Sequence, residues 1–186
     1  STLAQLLLRF YEPDQGTITI GSKPLQLFSL KQLRSNISYV QQDVFLFSDT
    51  VADNISFGSK EPVGIEAVKK AASLAAVDHE IEGFDKGYNT LIGERGVTLS
   101  GGQKQRISIA RALLKTPELL ILDDCLSAVD AKTEHKILNN LAGFLDQKTA
   151  IVITHRIFSV LNFDTIIVLE EGRILEMGTH ETLLEA

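Results

Sequence analysis

Two stretches of this 186-residue chain carry residue types that could do chemistry together. Leu99-Ser100-Gly101-Gly102-Gln103 opens an amphipathic helix with two adjacent glycines in its first turn, and the apolar run Leu119-Leu120-Ile121-Leu122 ends on Asp123-Asp124. Ser100 and Gln103 satisfy an S-x-x-Q capping box, which accounts for a helix start but not for the glycines. Glycine is about 1 kcal/mol worse than alanine inside a helix, so the pair points to something approaching backbone N–H groups closely. The apolar run reads as a strand buried on both faces, where an ionised carboxylate is costly unless a cation or donors meet it. Exposed amides on one element and paired carboxylates on another describe a nucleotide phosphate site.

These residues resemble the signature and Walker B motifs of the nucleotide-binding domain of ABC transporters, exporter type, and the resemblance covers essentially the whole chain. A chance Leu-Ser-Gly-Gly-Gln in a chain this long has a probability below about one in ten thousand at ordinary residue frequencies. The resemblance implies an α/β fold, a P-loop NTPase (RecA-like) core with an inserted α-helical subdomain. The core lobe would be 1–42 and 117–186 and the helical lobe 43–116, all within one domain. It also implies ATP and Mg²⁺. Asp123 takes the Walker B role of holding Mg²⁺ through water. Gln42, in Tyr39-Val40-Gln41-Gln42-Asp43, matches the Q-loop glutamine that helps sense Mg²⁺ and water, and His155, after Ala150-Ile151-Val152-Ile153-Thr154, matches the switch histidine on the terminal phosphate. Ser1 stands at the hydroxyl position of the phosphate loop G-x-x-x-x-G-K-[ST], where it would also bind Mg²⁺, and Thr2 follows it at the start of a helix facing the anion. The glycines and lysine of that loop would precede Ser1, so the isolated 186-residue piece is expected to bind ATP poorly and to be inactive alone.

Asp124 departs from the family pattern. Most members that hydrolyse ATP have Glu here, to orient and deprotonate the attacking water. Asp is shorter by one methylene, about 1.5 Å, and a misplacement of about 1 Å can cost on the order of 10²-fold in rate. The resemblance therefore implies the ATP-hydrolysing motor of an exporter, with a slow-turnover regulatory half of a heterodimeric exporter as the alternative. In either, Ser100, Gly101, Gly102 and Gln103 would face the γ-phosphate of ATP held by a second nucleotide-binding domain. Asp130, in Ser127-Ala128-Val129-Asp130, would lie in the D-loop crossing that interface, and it equally fits the N-cap of the helix that follows. Gly93-Glu94-Arg95-Gly96 and Phe45-Leu46-Phe47-Ser48 resemble exporter segments that contact coupling helices of the transmembrane domain. Phe45 and Phe47 fit plain core positions as well.

The elements that must position these residues can be read from periodicity. Helices are expected over 1–10, 30–34, 65–77, 100–115 and 131–145, and strands over 17–20, 37–40, 119–123, 149–154 and 165–169, the later strands alternating with helices as in a parallel sheet. A chain 44% hydrophobic suffices for one globular domain with a real core. Its net charge of −6 lacks the basic excess of a nucleic-acid partner. The single cysteine, Cys125, rules out an internal disulfide framework and fits a reducing compartment. No apolar run approaches the ~20 residues of a membrane span. The expected location is the cytoplasmic face of the cell membrane, reached through a partner domain. A start without Met and an end inside the helix that opens at Thr179 suggest a piece cut at both ends.

Overall fold

The computed structural model describes residues 2–59, 61–93, 96–145, 148–155 and 163–185. Three parallel strands run in the order β3 (Ile37–Val40), β4 (Leu119–Asp123) and β5 (Thr149–Ile153), with Tyr39 opposite Ile121 and Asp123 opposite Ile153. Successive strand residues face opposite sides, and here the alternation divides the core. Val40, Leu120 and Leu122 join one cluster with residues of α3 (Val51–Ser56), α4 (Ile65–Leu74), α5 (Asp78–Glu82), α6 (Gly101–Leu114) and α7 (Ala131–Phe144). Ile37 and Ile121 join the other, with Ala4 of α1 (Thr2–Leu7), Leu8, Leu25 and Leu33 of α2 (Leu30–Asn36). A small hairpin of β1 (Thr19–Ile20) and β2 (Lys23–Pro24) lies between α1 and α2 in the chain. Helices thus cover both faces of a parallel sheet, which is why β4 is a continuous apolar run rather than an alternating one.

Ser1–Ile153 and Thr154–Ala186 are separate compact units. In the second, β6 (Ile166–Glu170) and β7 (Arg173–Gly178) form an antiparallel pair, followed by α8 (His180–Leu184), which Thr179 caps. The strand expected over 165–169 therefore pairs with its sequence neighbour through the turn at Glu171-Gly172, both with positive φ, and not with the parallel strands. Among the described residues no helix is long and apolar enough to cross a membrane.

Two helices end before their expected limits for one shared reason. Arg9 (φ 51°) follows α1 and Ala76 (φ 53°) follows α4, both left-handed. At each, two backbone bonds close a Schellman motif: Phe10 N–H to Gln5 O and Arg9 N–H to Leu6 O, then Val77 N–H to Ala72 O and Ala76 N–H to Ser73 O. Glycine usually marks that position, and neither site has one. The expected helix over 65–77 is consequently α4 alone, and α5 starts afresh beyond it at Asp78.

Leu120 is fully buried in the larger cluster. Leu120→Ala should lower unfolding stability by about 2–5 kcal/mol in a urea titration; a loss below about 1 kcal/mol would show that β4 is not central to the core.

Candidate functional site

The carboxyl ends of parallel strands are where α/β sheets bind ligands. Asp123 closes β4 there, 2% exposed after three fully buried aliphatic side chains. Tyr39 sits opposite Ile121 on the neighbouring strand, so its phenol spans the diagonal to Asp123 on the same face, and Tyr39 Oη donates to Asp123 Oδ2 at 2.8 Å. Burial, then the hydrogen bond to Asp123 and its charge, push the Tyr39 phenol up to about 12. The phenol therefore stays a donor at any physiological pH.

One residue on, Asp124 turns left-handed (φ 47°), with its N–H on Ile153 O at 2.8 Å. That turn presents its carboxylate to the segment after β3, where Gln42 Nε2 donates to Asp124 Oδ2 at 3.1 Å. The amide oxygen, a hard donor, is on the other branch of Gln42. Cys125 is buried beneath, and desolvation raises its thiol to about 12, so it is an inert core residue.

The start of α6 is fixed by several contacts. Ser100 is its N-cap, with Gln103 N–H on Ser100 Oγ at 3.2 Å and Ser100 N–H on Gln103 Oε1 at 2.9 Å, a full capping box. Gln103 Nε2 donates to Glu80 Oε2 at 2.9 Å, and Arg106 reaches both oxygens of Glu80, at 2.5 and 3.0 Å. Partial burial would raise the Glu80 carboxyl, but hydrogen bonds from Arg106 and Gln103, with the Arg106 charge, hold it below its ordinary value. A Cβ on Gly102 would lie 2.9 Å from Ala128 O, so an internal close approach by itself demands glycine at the second position. At Gly101 the nearest atom, Ala128 Cβ, would be at an ordinary 3.4 Å. Gln105 completes this interlock by donating to Ser127 Oγ at 3.2 Å and accepting from Ala128 N–H at 3.0 Å. Asp130 caps α7, and the Thr133 hydroxyl and N–H hold its carboxyl below the ordinary value.

A family model described as ABC transporter matches residues 1–127. The chain belongs to the ABC transporter family. It is 50% identical over 185 residues to the uncharacterized ABC transporter ATP-binding protein YknU of Bacillus subtilis (strain 168), covering 100% of this chain and 32% of that protein. It is 46% identical over 185 residues to the ATP-dependent lipid A-core flippase of Legionella pneumophila (strain Paris), covering 100% of this chain and 31% of that one. A solved structure, of a bacterial Atm1-family ABC exporter with ATP bound, superposes with a TM-score of 0.94 at 41% identity, over 99% of this chain and 32% of that chain. The chain thus spans about a third of the length of the relatives it matches.

Within this ABC fold, two groups of expected site residues are brought together. Gln42, Asp123 and Asp124 gather at the ends of β3 and β4, and Ser100, Gly101, Gly102 and Gln103 form the first turn of α6 beside Ala128. Thr2 begins α1, and His155 is exposed in the second unit, just beyond β5. Ser1, Glu94 and Arg95 lie outside the described residues. Among the described residues no three His, Cys, Asp or Glu side chains gather as a metal cage. A single buried carboxylate at the strand end suits Mg²⁺, which takes one or two protein carboxylates and completes its shell from phosphates and water.

Tyr39, Glu80, Arg106 and Arg111 are absent from the sequence-based site. Arg111 donates to Asn54 O at 2.7 Å, Asn54 Oδ1 at 3.1 Å and Phe45 O at 3.1 Å, and lies over the rings of Phe47 and Phe57. Phe45, 68% exposed, and Phe47 pack edge to face, and Phe47 meets Phe57, so these aromatics form a surface cluster and not core. The signal in the sequence was the resemblance of Phe45-Leu46-Phe47-Ser48 to an exporter segment.

The Tyr39 phenol is raised from 10.0 to about 12, so its contribution to stability is complete below pH 10 and disappears as pH climbs through about 12. Urea midpoints measured from pH 9 to 12 should fall less steeply for Tyr39→Phe than for the parent; parallel curves would contradict the buried Tyr39–Asp123 bond.

Proposed function

We propose that this chain is the ATP-binding and ATP-hydrolysing motor domain of an ABC exporter, acting at the cytoplasmic face of a membrane with a second nucleotide-binding domain. The hydrogen bond from Gln42 to Asp124, beside the buried Asp123 at the mouth of a parallel sheet, carries the reading. On this reading 1–42 and 117–186 are the core lobe and 43–116 the helical lobe. Asp123 would hold Mg²⁺ through water, with the Gln42 amide oxygen and the Ser1 hydroxyl as further oxygen donors. Mg²⁺, when bound, neutralises charge developing on the phosphate oxygens. Thr2 and the start of α1 face the phosphates of the domain's own ATP.

Asp124 accepts a proton from water as the water oxygen bonds to the γ-phosphorus, and the bond from that phosphorus to the ADP oxygen breaks. Gln42 holds the Asp124 carboxylate in place for this transfer, which matters because the Asp side chain is short. His155 contacts the terminal phosphate. The turn of Ser100, Gly101, Gly102 and Gln103 acts on the other nucleotide, with Gly101 and Gly102 offering their amides to the γ-phosphate bound by the partner domain while the Ser100–Gln103 capping box fixes the turn, and with Asp130 and its loop crossing between the two sites. Gly102 then meets two demands, the approach of Ala128 and the approach of the phosphate.

The aromatic cluster of Phe45, Phe47 and Phe57 is the proposed seat of a coupling helix from the transmembrane domain, with Glu94 and Arg95 as further proposed contacts. Its rings are exposed, adjacent and braced by Arg111, as a docking surface requires.

In the full-length transporter, Asp124→Asn should reduce ATP hydrolysis by about 10²-fold or more while ATP binding persists; an undiminished rate would refute Asp124 as the base. Asp124→Glu should stay within about threefold of the parent, whereas acceleration of about tenfold or more would assign this chain to a slow half-site. Phe45→Ala, at an exposed position, should lower substrate export more than ATP hydrolysis; equal losses would remove the cluster from coupling.

A further inference from the structure

The first turn of α6 offers amides but has little of its own to hold them still. Gly101 and Gly102 carry no side chains, and glycine has the freest backbone of any residue. The groups around them converge on one carboxylate from a different helix. Gln103 is engaged on both branches, its Oε1 accepting Ser100 N–H at 2.9 Å and its Nε2 donating to Glu80 Oε2 at 2.9 Å. Arg106 is engaged along its whole fork. Nε donates to Gly102 O at 3.2 Å, Nη1 to Ala76 O at 2.8 Å and Glu80 Oε1 at 2.5 Å, and Nη2 to Glu80 Oε2 at 3.0 Å. Backbone atoms on both sides of Gly101, the Ser100 N–H and the Gly102 carbonyl, are thus each one side chain away from Glu80.

The pair is asymmetric in exposure, with the Arg106 side chain 10% exposed and that of Glu80 40%. Water screens the attraction from the Glu80 side, so its value in stability is small. The geometric value is larger, because a bidentate guanidinium–carboxylate pair fixes direction as well as distance. Without the carboxylate, a nearly buried guanidinium and the Gln103 amide must both find other acceptors, and Arg106 is already bonded to one carbonyl of the turn, that of Gly102.

We propose that Glu80 is a positioning residue: through Gln103 and Arg106, which hold the Ser100 N–H and the Gly102 carbonyl, it sets the orientation of the turn whose Gly101 and Gly102 amides are offered to the γ-phosphate. The proposal rests on the reading that those amides receive the phosphate. It assigns Gln103 to an internal brace, with its side-chain amide already occupied when nucleotide arrives.

The test uses the full-length transporter. Glu80→Gln keeps the shape and removes the charge, and it should raise the KM for ATP about fivefold or more while kcat changes less than about twofold, as for a loss of uniform binding. Glu80→Asp, which restores the carboxylate, should recover at least half of the KM effect on a logarithmic scale. The double variant Glu80→Gln with Gln103→Ala should fall clearly short of the product of the two single effects, because Gln103 is one of the two arms through which Glu80 acts. A KM for Glu80→Gln within about twofold of the parent, or effects that multiply in the double variant, would overturn the proposal. If the parent itself hydrolyses no ATP, the motor reading fails, and amide hydrogen exchange of the nucleotide-free protein then decides the matter for Glu80. Exchange across residues 100–106 should quicken about fivefold or more in Glu80→Gln with α7 unchanged; unchanged exchange would overturn the brace.

Discussion

An acidic side chain at the end of a strand buried on both faces is the constraint around which the first unit is organised. Leu120, Ile121 and Leu122 are taken out of water by helices on both sides of the sheet, and Asp123 follows them into the dry interior because the chain is continuous. A carboxylate there needs donors or a cation. Tyr39 supplies one donor from the next strand, and its high pKa means that the bond persists throughout the physiological pH range. The same parallel pairing brings the ends of β3 and β4 level, so Gln42 and Asp124 meet just beyond the buried pair. Burial of the sheet and assembly of the acidic site are therefore one event.

The second arm of the machinery depends on interlocking and not on burial. The first turn of α6 is pressed against Ala128, and Gln105 bonds both Ser127 and Ala128, so the loop after Asp124 and the glycine-bearing turn constrain each other. Movement in either would be felt by the other. Arg106, paired with Glu80, also bonds the Gly102 carbonyl, so a backbone poor in side chains is held by two separate sets of contacts.

Sequence patterns with a local physical cause were legible. β3, β4 and the N-terminal boundary of α6 follow from apolar runs and from the Ser100–Gln103 capping box, and those residues form those elements. The parallel sheet and the ABC family could likewise be read from the motifs. What stayed hidden has long-range causes. The ends of α1 and α4 are set by Arg9 and Ala76 in a conformation that neither side chain advertises. Strand β6 has the composition of a parallel strand and pairs antiparallel only because a tight turn returns β7 onto it. Tyr39 and Glu80 act through partners 84 and 23–26 positions away, and no spacing rule links a residue to a contact at such distances. Phe45 and Phe47 fit both a core position and a contact segment by sequence, and tertiary structure decides for the surface.

The backbone at Asp124 bears on which acid can occupy this corner. A left-handed residue with a Cβ costs roughly 1–2 kcal/mol, and Asp and Asn tolerate it better than most because their short polar side chains bond locally. The sharp bend that follows β4 therefore favours a compact acid on steric grounds, quite apart from proton transfer. A longer acid would gain reach at the expense of conformational ease, so the identity of this residue reflects a compromise between the geometry of the corner and the chemistry performed at it.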